Sequence, residues 1–394
     1  MTRSIEAQLA DLKSRSLLRK LRTIESPQQA VVLSGGRELV NFSSNDYLGL
    51  ATEPALREAA KKAVDEFGVG AGSSRLICGT LPPHVLLEQK LVEFKRTRAA
   101  LAFSSGYATA LGTMGALMSK NDIVILDKLS HASLIDGARL CGATVRVFPH
   151  NHMGKLESHA KWAREQQPDA RILIVTESVF SMDGDRAPLG DIVEIKARYG
   201  ALLLLDEAHA VGVIGKNGRG LADRLELADQ VDIQMGTLSK ALGVSGGYIC
   251  ASQAIVDLLI NKARSFVYST APVPMVAAAA SAAIDFVMSE AGEQRVRKLR
   301  DNLTQFTAEC PGEFLRNGPP QSAIIPIIVG PEDTALAASQ WLFESGFFVS
   351  AIRYPTVAKG AARLRITLSA AHTQEQIGSL CRALGSLRDN LRPA

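Results

Sequence analysis

The chain has 394 residues, 46% hydrophobic and 21% charged, enough for a sizeable core and two or three domains at about 100–200 residues each, and a composition that excludes a disordered chain. Its 44 Lys and Arg against 40 Asp and Glu leave a net charge of +4, too small at this size to mark a nucleic-acid binder. Five cysteines (Cys78, Cys141, Cys250, Cys310 and Cys381) are an odd count with no Cys-x-x-Cys pair, which argues against a disulfide framework or zinc ribbon and for reduced thiols in a cytosolic setting.

The first stretch, MTRSIEAQLADLKSRSLLRK, has no apolar leader core and is interrupted by acids. Ile5, Leu9, Leu12, Leu17, Leu18 and Leu21 recur at roughly helical spacing, predicting an amphipathic arm helix over residues 4–23. A hairpin follows, with Ser34-Gly35-Gly36 turning between AVVL and ELVNF. Helical stretches at 53–67, 84–95, 106–118, 132–140 and 186–199 then alternate with the apolar runs AALAF, DIVILD, TVRVF, RILIVTE and ALLLLDE. Continuous apolar strands separated by helices predict a mostly parallel sheet covered on both faces.

Past residue 275 the texture changes. An Ala-rich helix (PMVAAAASAAIDFVM, 274–288) carries Asp285 and is too short to span a bilayer. It leads into KLRDNLTQF, the strand-like runs AIIPIIV, GFFVSAI and RLRITLS, and a last helix from about 373. The expected organisation is α/β: an N-terminal arm (1–44), a large α/β domain (45–284) and a smaller C-terminal α+β domain (285–394). A soluble, cytoplasmic protein is expected, with no nucleic-acid or membrane partner.

The chemistry gathers just past the strands. In MGTLSKALGVSGG, Lys240 sits on a glycine-bounded turn after DIQM, where a dry cleft could lower its pKa and let it form a Schiff base; a solvated surface lysine is the plain alternative. Asp206 ends ALLLLDE, with His209 three residues on, at the strand end where ligands bind in open α/β sheets. Such an acid could keep a pyridine nitrogen protonated, and the imidazole could bond the ring's phenolic oxygen. A helix-capping Asp or a metal pair is the alternative, the metal disfavoured because no His/Cys cluster lies nearby. Ser104-Ser105-Gly106-Tyr107-Ala108-Thr109 opens a helix after AALAF, a phosphate cradle or an ordinary strand–turn–helix junction. His131, in DKLSHASLID, either stacks on a cofactor ring or is a satisfied core histidine, and ESVFSMDGD (177–185) again lies just past a strand. Taken together, these segments point to a lysine-bound pyridoxal phosphate site.

The motifs NFSSNDYLGL, FGVGAGSSRLICGT, SSGYATA, DKLSHASLID, ESVFSMDGD, LDEAHAVGVIGKNGRG, TLSKALGVSGGY, FVYSTAPVP and AIRYPTVAKGAARLRITLSAAHT together resemble the α-oxoamine synthases, in that family's order and over nearly the whole chain. The resemblance implies fold type I, the cofactor pyridoxal 5'-phosphate, and condensation of an amino acid with an acyl thioester with loss of CO2. It implies Lys240 as the Schiff-base lysine, Asp206 on the ring nitrogen, His209 on the phenolic oxygen and His131 stacked on the ring. Gly106, Tyr107, Ser181 and Thr237 are implied cofactor contacts; Asn45, Arg19, Thr356 and Arg365, with His131, are implied substrate contacts. Thr270 would reach the phosphate from a neighbouring subunit, so a homodimer with a shared active site is implied.

Within the family, VYSTAPVP with AIRYPTV and RLRITLSAAHT is most similar to the biotin-pathway branch, which joins L-alanine to a pimeloyl group carried on CoA or acyl carrier protein. Tyr354 and Ala358 stand where that branch often has Pro, which keeps the glycine and acetyl-CoA branch as the second expectation. A cofactor-binding subunit without turnover is a third, disfavoured by the intact Lys240. On residues alone, Arg363 and Arg365 read as the solvated face of an edge strand; the resemblance instead gives Arg365 the amino-acid carboxylate.

Overall fold

The computed structural model of the chain describes residues 4–315 and 318–391; the ends of the expected arm and C-terminal domain, and residues 316–317, lie outside these. The chain forms two compact units. Among the described residues, one holds those up to Gly49, Met182–Gly184 and those from Arg297 on; the other holds Leu50–Ser181 and Asp185–Val296. The arm therefore belongs with the C-terminal region rather than standing by itself, and the units part at Gly49 and Val296 where the sequence suggested 44 and 284.

In the first unit the arm helix is shorter than predicted. It runs Ile5–Ser14, started by the Ser4 hydroxyl, which accepts from the Ala7 N–H. Ser16 has φ 56, outside the right-handed helical region, so Leu17, Leu18 and Leu21 lie beyond the helix. Farther on, the Arg22 guanidinium lies 4.1 Å from the centre of the Phe343 ring. The hairpin forms as predicted: β1 (Val31–Ser34) and β2 (Arg37–Asn41) pair antiparallel around Gly35 and Gly36, whose φ values of +59 and +70 suit a tight turn only glycine makes cheaply.

The second unit is built on seven strands: β3 (Ala99–Phe103), β4 (Ile123–Asp127), β5 (Thr144–Phe148), β6 (Ile172–Glu177), β7 (Leu202–Asp206), β8 (Ile233–Thr237) and β9 (Gly247–Ala251). Their order across the sheet is β3-β9-β8-β7-β6-β4-β5. Strands β4 to β8 are mutually parallel, and β9 runs antiparallel to both β8 and β3. Alternate residues face opposite cores. Val124, Leu126, Leu173, Val175 and Leu204 enter one; Ile123, Ile125, Ile172, Ile174, Leu203 and Leu205 enter the other. Both faces are covered, which is why these strands read as unbroken apolar runs. At about 25 cal/mol per Å2, each such fully buried side chain contributes roughly 1.5–3 kcal/mol.

Helices Pro54–Phe67, Pro82–Lys95, Gly106–Leu117, Ala132–Leu140 and Leu189–Arg198 match the predicted ones within a few residues. Met153–Gln166 and Gln253–Lys262 add two that the periodicity did not single out. Pro274–Met288 and Glu290–Glu309 follow; among the described residues no single helix is long and apolar enough to cross a membrane. The consequence for the site is simple. The neighbouring strands β8, β7, β6 and β4 end in Thr237, Asp206, Glu177 and Asp127, so four polar residues line up along one edge of the sheet.

The rest of the first unit contains β10 (Ile324–Gly330), β11 (Phe347–Phe348), β12 (Ser350–Ile352), β13 (Ala362–Thr367) and the last helix, Gln374–Leu391. GFFVSAI, expected as one strand, divides at the buried Val349: β11 pairs parallel with β2, and β12 joins an antiparallel sheet of order β10-β13-β12. Strand β13 is therefore central, and Arg363 and Arg365 are both buried. That overturns the solvated edge-strand reading: β13 has a partner on each side, and the face assigned to solvent is occupied, Arg363 bonding Met182 and Asp183 and Arg365 bonding Asn45.

Candidate active site

Lys240 lies on the turn between β8 and β9. Leu238 N–H bonds Gly246 C=O and Val244 N–H bonds Leu238 C=O, so the turn is closed by its own backbone. Thr237 Oγ1 donates to Gly246 C=O at 2.9 Å and lies 2.8 Å from Ser239 Oγ. The Lys240 Nζ is 2.8 Å from His209 Nε2. His209 is buried on the loop after β7, and Asp206, at the end of that strand, is buried with Oδ1 accepting from the Ala208 N–H at 2.9 Å. Burial raises the Asp206 carboxyl, and the Lys240 charge works against that rise.

His131 caps the helix Ala132–Leu140, its Nδ1 accepting from the Ser133 N–H at 3.2 Å. Burial, then the Lys240 charge, hold its imidazole below the usual range. Gly106 and Tyr107 open the helix Gly106–Leu117, whose N-cap Ser105 accepts from the Ala108 N–H. A Cβ on Gly247 would come within 2.8 Å of the Gly106 N and Cα, so the backbone of Gly106 approaches too closely for a side chain at 247. The Tyr107 hydroxyl donates to Asp136 Oδ2 at 2.6 Å. Ser181 is buried on the loop after β6, and Thr270 is exposed, bridged to Ser74 in an antiparallel pair.

Glu177 was not among the residues singled out, although the segment it opens was. It is buried at the end of β6, in register with Asp206, and its Oε1 accepts from the His131 N–H at 2.5 Å. Burial first, then the Asp206 charge, push its carboxyl up to about 8. The signal was available: like Asp206, it is an acid at the carboxyl end of a mostly apolar strand.

Of the five implied substrate contacts, His131 lies in the second unit; Arg19, Asn45, Thr356 and Arg365 lie in the first and meet in pairs. Arg365 Nη1 donates to Asn45 Oδ1 at 3.1 Å and to Thr367 Oγ1 at 3.0 Å. Arg19 Nη2 donates to Thr356 Oγ1 at 3.2 Å. The Tyr47 hydroxyl donates to the same Asn45 oxygen at 3.4 Å, and burial pushes its pKa up to about 12. Arg363 bonds Asp183 Oδ1 at 2.5 Å and Met182 C=O at 3.3 Å.

The donor set suits a phosphorylated pyridine aldehyde. A lysine amine is available for the aldehyde carbon, and a buried carboxylate would be balanced by a protonated ring nitrogen. First-turn N–H groups of a helix have no carbonyl within the helix to bond and can take a phosphate.

Comparison with known proteins settles the family. Residues 37–384 match the family model described as aminotransferase class I and II. The chain belongs to the class I and II aminotransferase family. It is 44% identical over 391 residues to a protein of Geobacter sulfurreducens named 8-amino-7-oxononanoate synthase, covering 99% of each chain. It is 42% identical to the protein of that name from Bacillus pumilus, covering 95% of this chain and 94% of the relative. Among solved structures, serine palmitoyltransferase of S. paucimobilis with a bound PLP–myriocin aldimine superposes with a TM-score of 0.92 at 28% identity, covering 98% of this chain and 97% of the other. The 8-amino-7-oxononanoate synthase of Francisella tularensis gives 0.76 at 29% identity, covering 90% and 99%. The fold type I architecture expected from the resemblance is thus the fold of this chain.

Proposed function

We propose that this chain condenses L-alanine with a pimeloyl thioester, on CoA or acyl carrier protein, releasing CO2 and the free thiol and giving 8-amino-7-oxononanoate for biotin synthesis. The carrying observation is 44% identity across essentially the whole length of a relative bearing that name. The cofactor is pyridoxal 5'-phosphate, which when bound supplies an electron sink for negative charge at the amino-acid α-carbon.

The residues have separable tasks. With the cofactor bound, Lys240 Nζ would hold its aldehyde carbon and, as a neutral amine, would take the α-proton of alanine. His209, 2.8 Å from that amine, orients it and bonds the cofactor's phenolic oxygen. Asp206 keeps the ring nitrogen protonated, and burial makes that pairing stronger than an exposed one. His131 packs its flat ring against the cofactor and the substrate. Gly106, Tyr107, Ser181 and Thr237 bind the cofactor, and Thr270 of a second subunit completes the phosphate site in a homodimer. Arg365, held by Asn45, takes the alanine carboxylate through its planar fork, while Arg19 and Thr356 serve the acyl donor.

A substrate panel tests this reading. The loaded enzyme is given L-alanine or glycine with pimeloyl-CoA or acetyl-CoA, and products are read by mass spectrometry. Alanine with the pimeloyl thioester should be the productive pair. Turnover confined to glycine with acetyl-CoA would overturn the assignment in favour of the other branch of the family.

A further inference from the structure

The site's loops are tied from behind by a histidine that the function above does not use. His150 lies just past β5, and its two ring nitrogens face two different carboxylates: Nδ1 is 3.0 Å from Asp127 Oδ1 and Nε2 is 2.7 Å from Asp185 Oδ2. Carboxylate oxygens only accept, and a neutral imidazole has a single N–H. With both contacts at hydrogen-bond length, a neutral ring would set a bare lone pair against a carboxylate. Asn151 Nδ2 lies 3.3 Å from Nε2, but it shares the acceptor Asp185 Oδ2 at 3.0 Å, and the shorter contact to that oxygen is the ring's.

The two carboxylates are not ornaments on the surface. Asp127 is fully buried at the end of β4; its Oδ1 also accepts from the Leu129 N–H at 2.8 Å and its Oδ2 from the Asn151 N–H at 2.9 Å. It thereby shapes the turn that leads to His131 four residues on. Asp185 closes the loop after β6: its C=O accepts from the Phe180 N–H at 3.0 Å, and Val179 bridges Arg186. Ser181 lies inside that closed loop. The Phe180 and His150 rings pack in a T-shaped pair with centroids 4.3 Å apart.

We propose that His150 is a positioning residue protonated at neutral pH, one N–H given to Asp127 and the other to Asp185, holding the His131 loop and the Ser181 loop at a fixed separation. The loop role rests on the reading that His131 and Ser181 serve the cofactor; the charge state does not. Asp127 and Asp185 are the charged groups that set it. Burial pulls the imidazole pKa down, but the hydrogen bonds and charges of these two carboxylates carry it up to about 10.

Two measurements test this. Nitrogen–proton NMR of the full chain labelled in its 7 histidines, with His150 assigned from His150→Gln, should show both ring nitrogens protonated at about pH 8, where an ordinary imidazole is neutral. A single ring N–H there overturns the proposal. Asp185→Asn removes one charge at a partly exposed position and should weaken pyridoxal phosphate binding about tenfold with an unchanged far-ultraviolet spectrum, and Asp185→Glu should restore it. Equal binding by wild type and Asp185→Asn overturns the loop role. A wild-type chain that binds no pyridoxal phosphate overturns the cofactor reading and the loop role with it, while the spectrum still decides the charge.

Discussion

Glu177 and Asp206 stand side by side in register at the ends of two adjacent parallel strands, two buried carboxyls separated by one strand spacing. Two ionised carboxylates there would repel in a medium that screens poorly. Burial and the Asp206 charge push the Glu177 carboxyl up to about 8, and burial also raises Asp206, a rise that the Lys240 charge opposes.

This makes stability depend on pH. Glu177 has its pKa raised from 4.5 to about 8, so over that interval the folded chain binds a proton that the unfolded chain has lost. Stability therefore falls as pH rises through the interval, and each unit of raised pKa is worth about 1.4 kcal/mol. Glu177→Gln keeps an acceptor for the His131 N–H and removes the titration. Urea melts of wild type and variant between about pH 5 and about pH 8 should diverge, the variant losing less. Parallel curves would mean that Glu177 is already ionised at the lower end.

Asp206→Asn should retain cofactor through the phosphate-binding segment yet lose most proton abstraction. Exchange of the L-alanine α-proton into heavy water, followed by NMR, should slow by roughly 100-fold or more. An undiminished rate would remove Asp206 from its ring-nitrogen role.

Lys240→Ala should abolish turnover without unfolding the chain. The turn is closed by backbone bonds among Leu238, Val244 and Gly246, none of which uses the lysine side chain. The paired measurement is product formation against thermal melting; wild-type turnover by the variant would reject the lysine assignment.

Arg365→Lys should raise the dissociation constant for L-alanine about tenfold or more, since lost charge-assisted pairs with a buried partner cost roughly 2–5 kcal/mol. Arg363→Lys does not serve as a mild control, because Arg363 is buried against Asp183 at 2.5 Å. Arg382→Lys, on the exposed side of the last helix, does. Unchanged alanine affinity in Arg365→Lys would leave Arg365 a structural residue holding Asn45 and Thr367.

The sheet and the polar residues at its strand ends were readable from the sequence alone. Strands buried on both faces are apolar along most of their length, so Asp206 stands out as the first polar residue after its run, and Lys240 stands out on its glycine-bounded turn. The hairpin was readable too, because two consecutive positive-φ positions call for Gly35 and Gly36. Local chemistry suffices wherever the constraint is local.

Pairing and burial decided the rest. β9 (GYICA) is too short and too mixed to mark itself as a strand until β8 and β3 close on it. GFFVSAI divides because β2 takes one half and β13 the other. Arg363 and Arg365 alternate like a solvated face, and it is folding that brings Met182 and Asp183 to Arg363 and Asn45 to Arg365. His150 reads as a polar loop residue in VFPHNH; its charge is set by Asp127 and Asp185, 23 and 35 residues away in the chain. A hydrogen bond or a shifted proton belongs to groups brought together by folding, and neither partner carries a mark of the other in its own sequence neighbourhood.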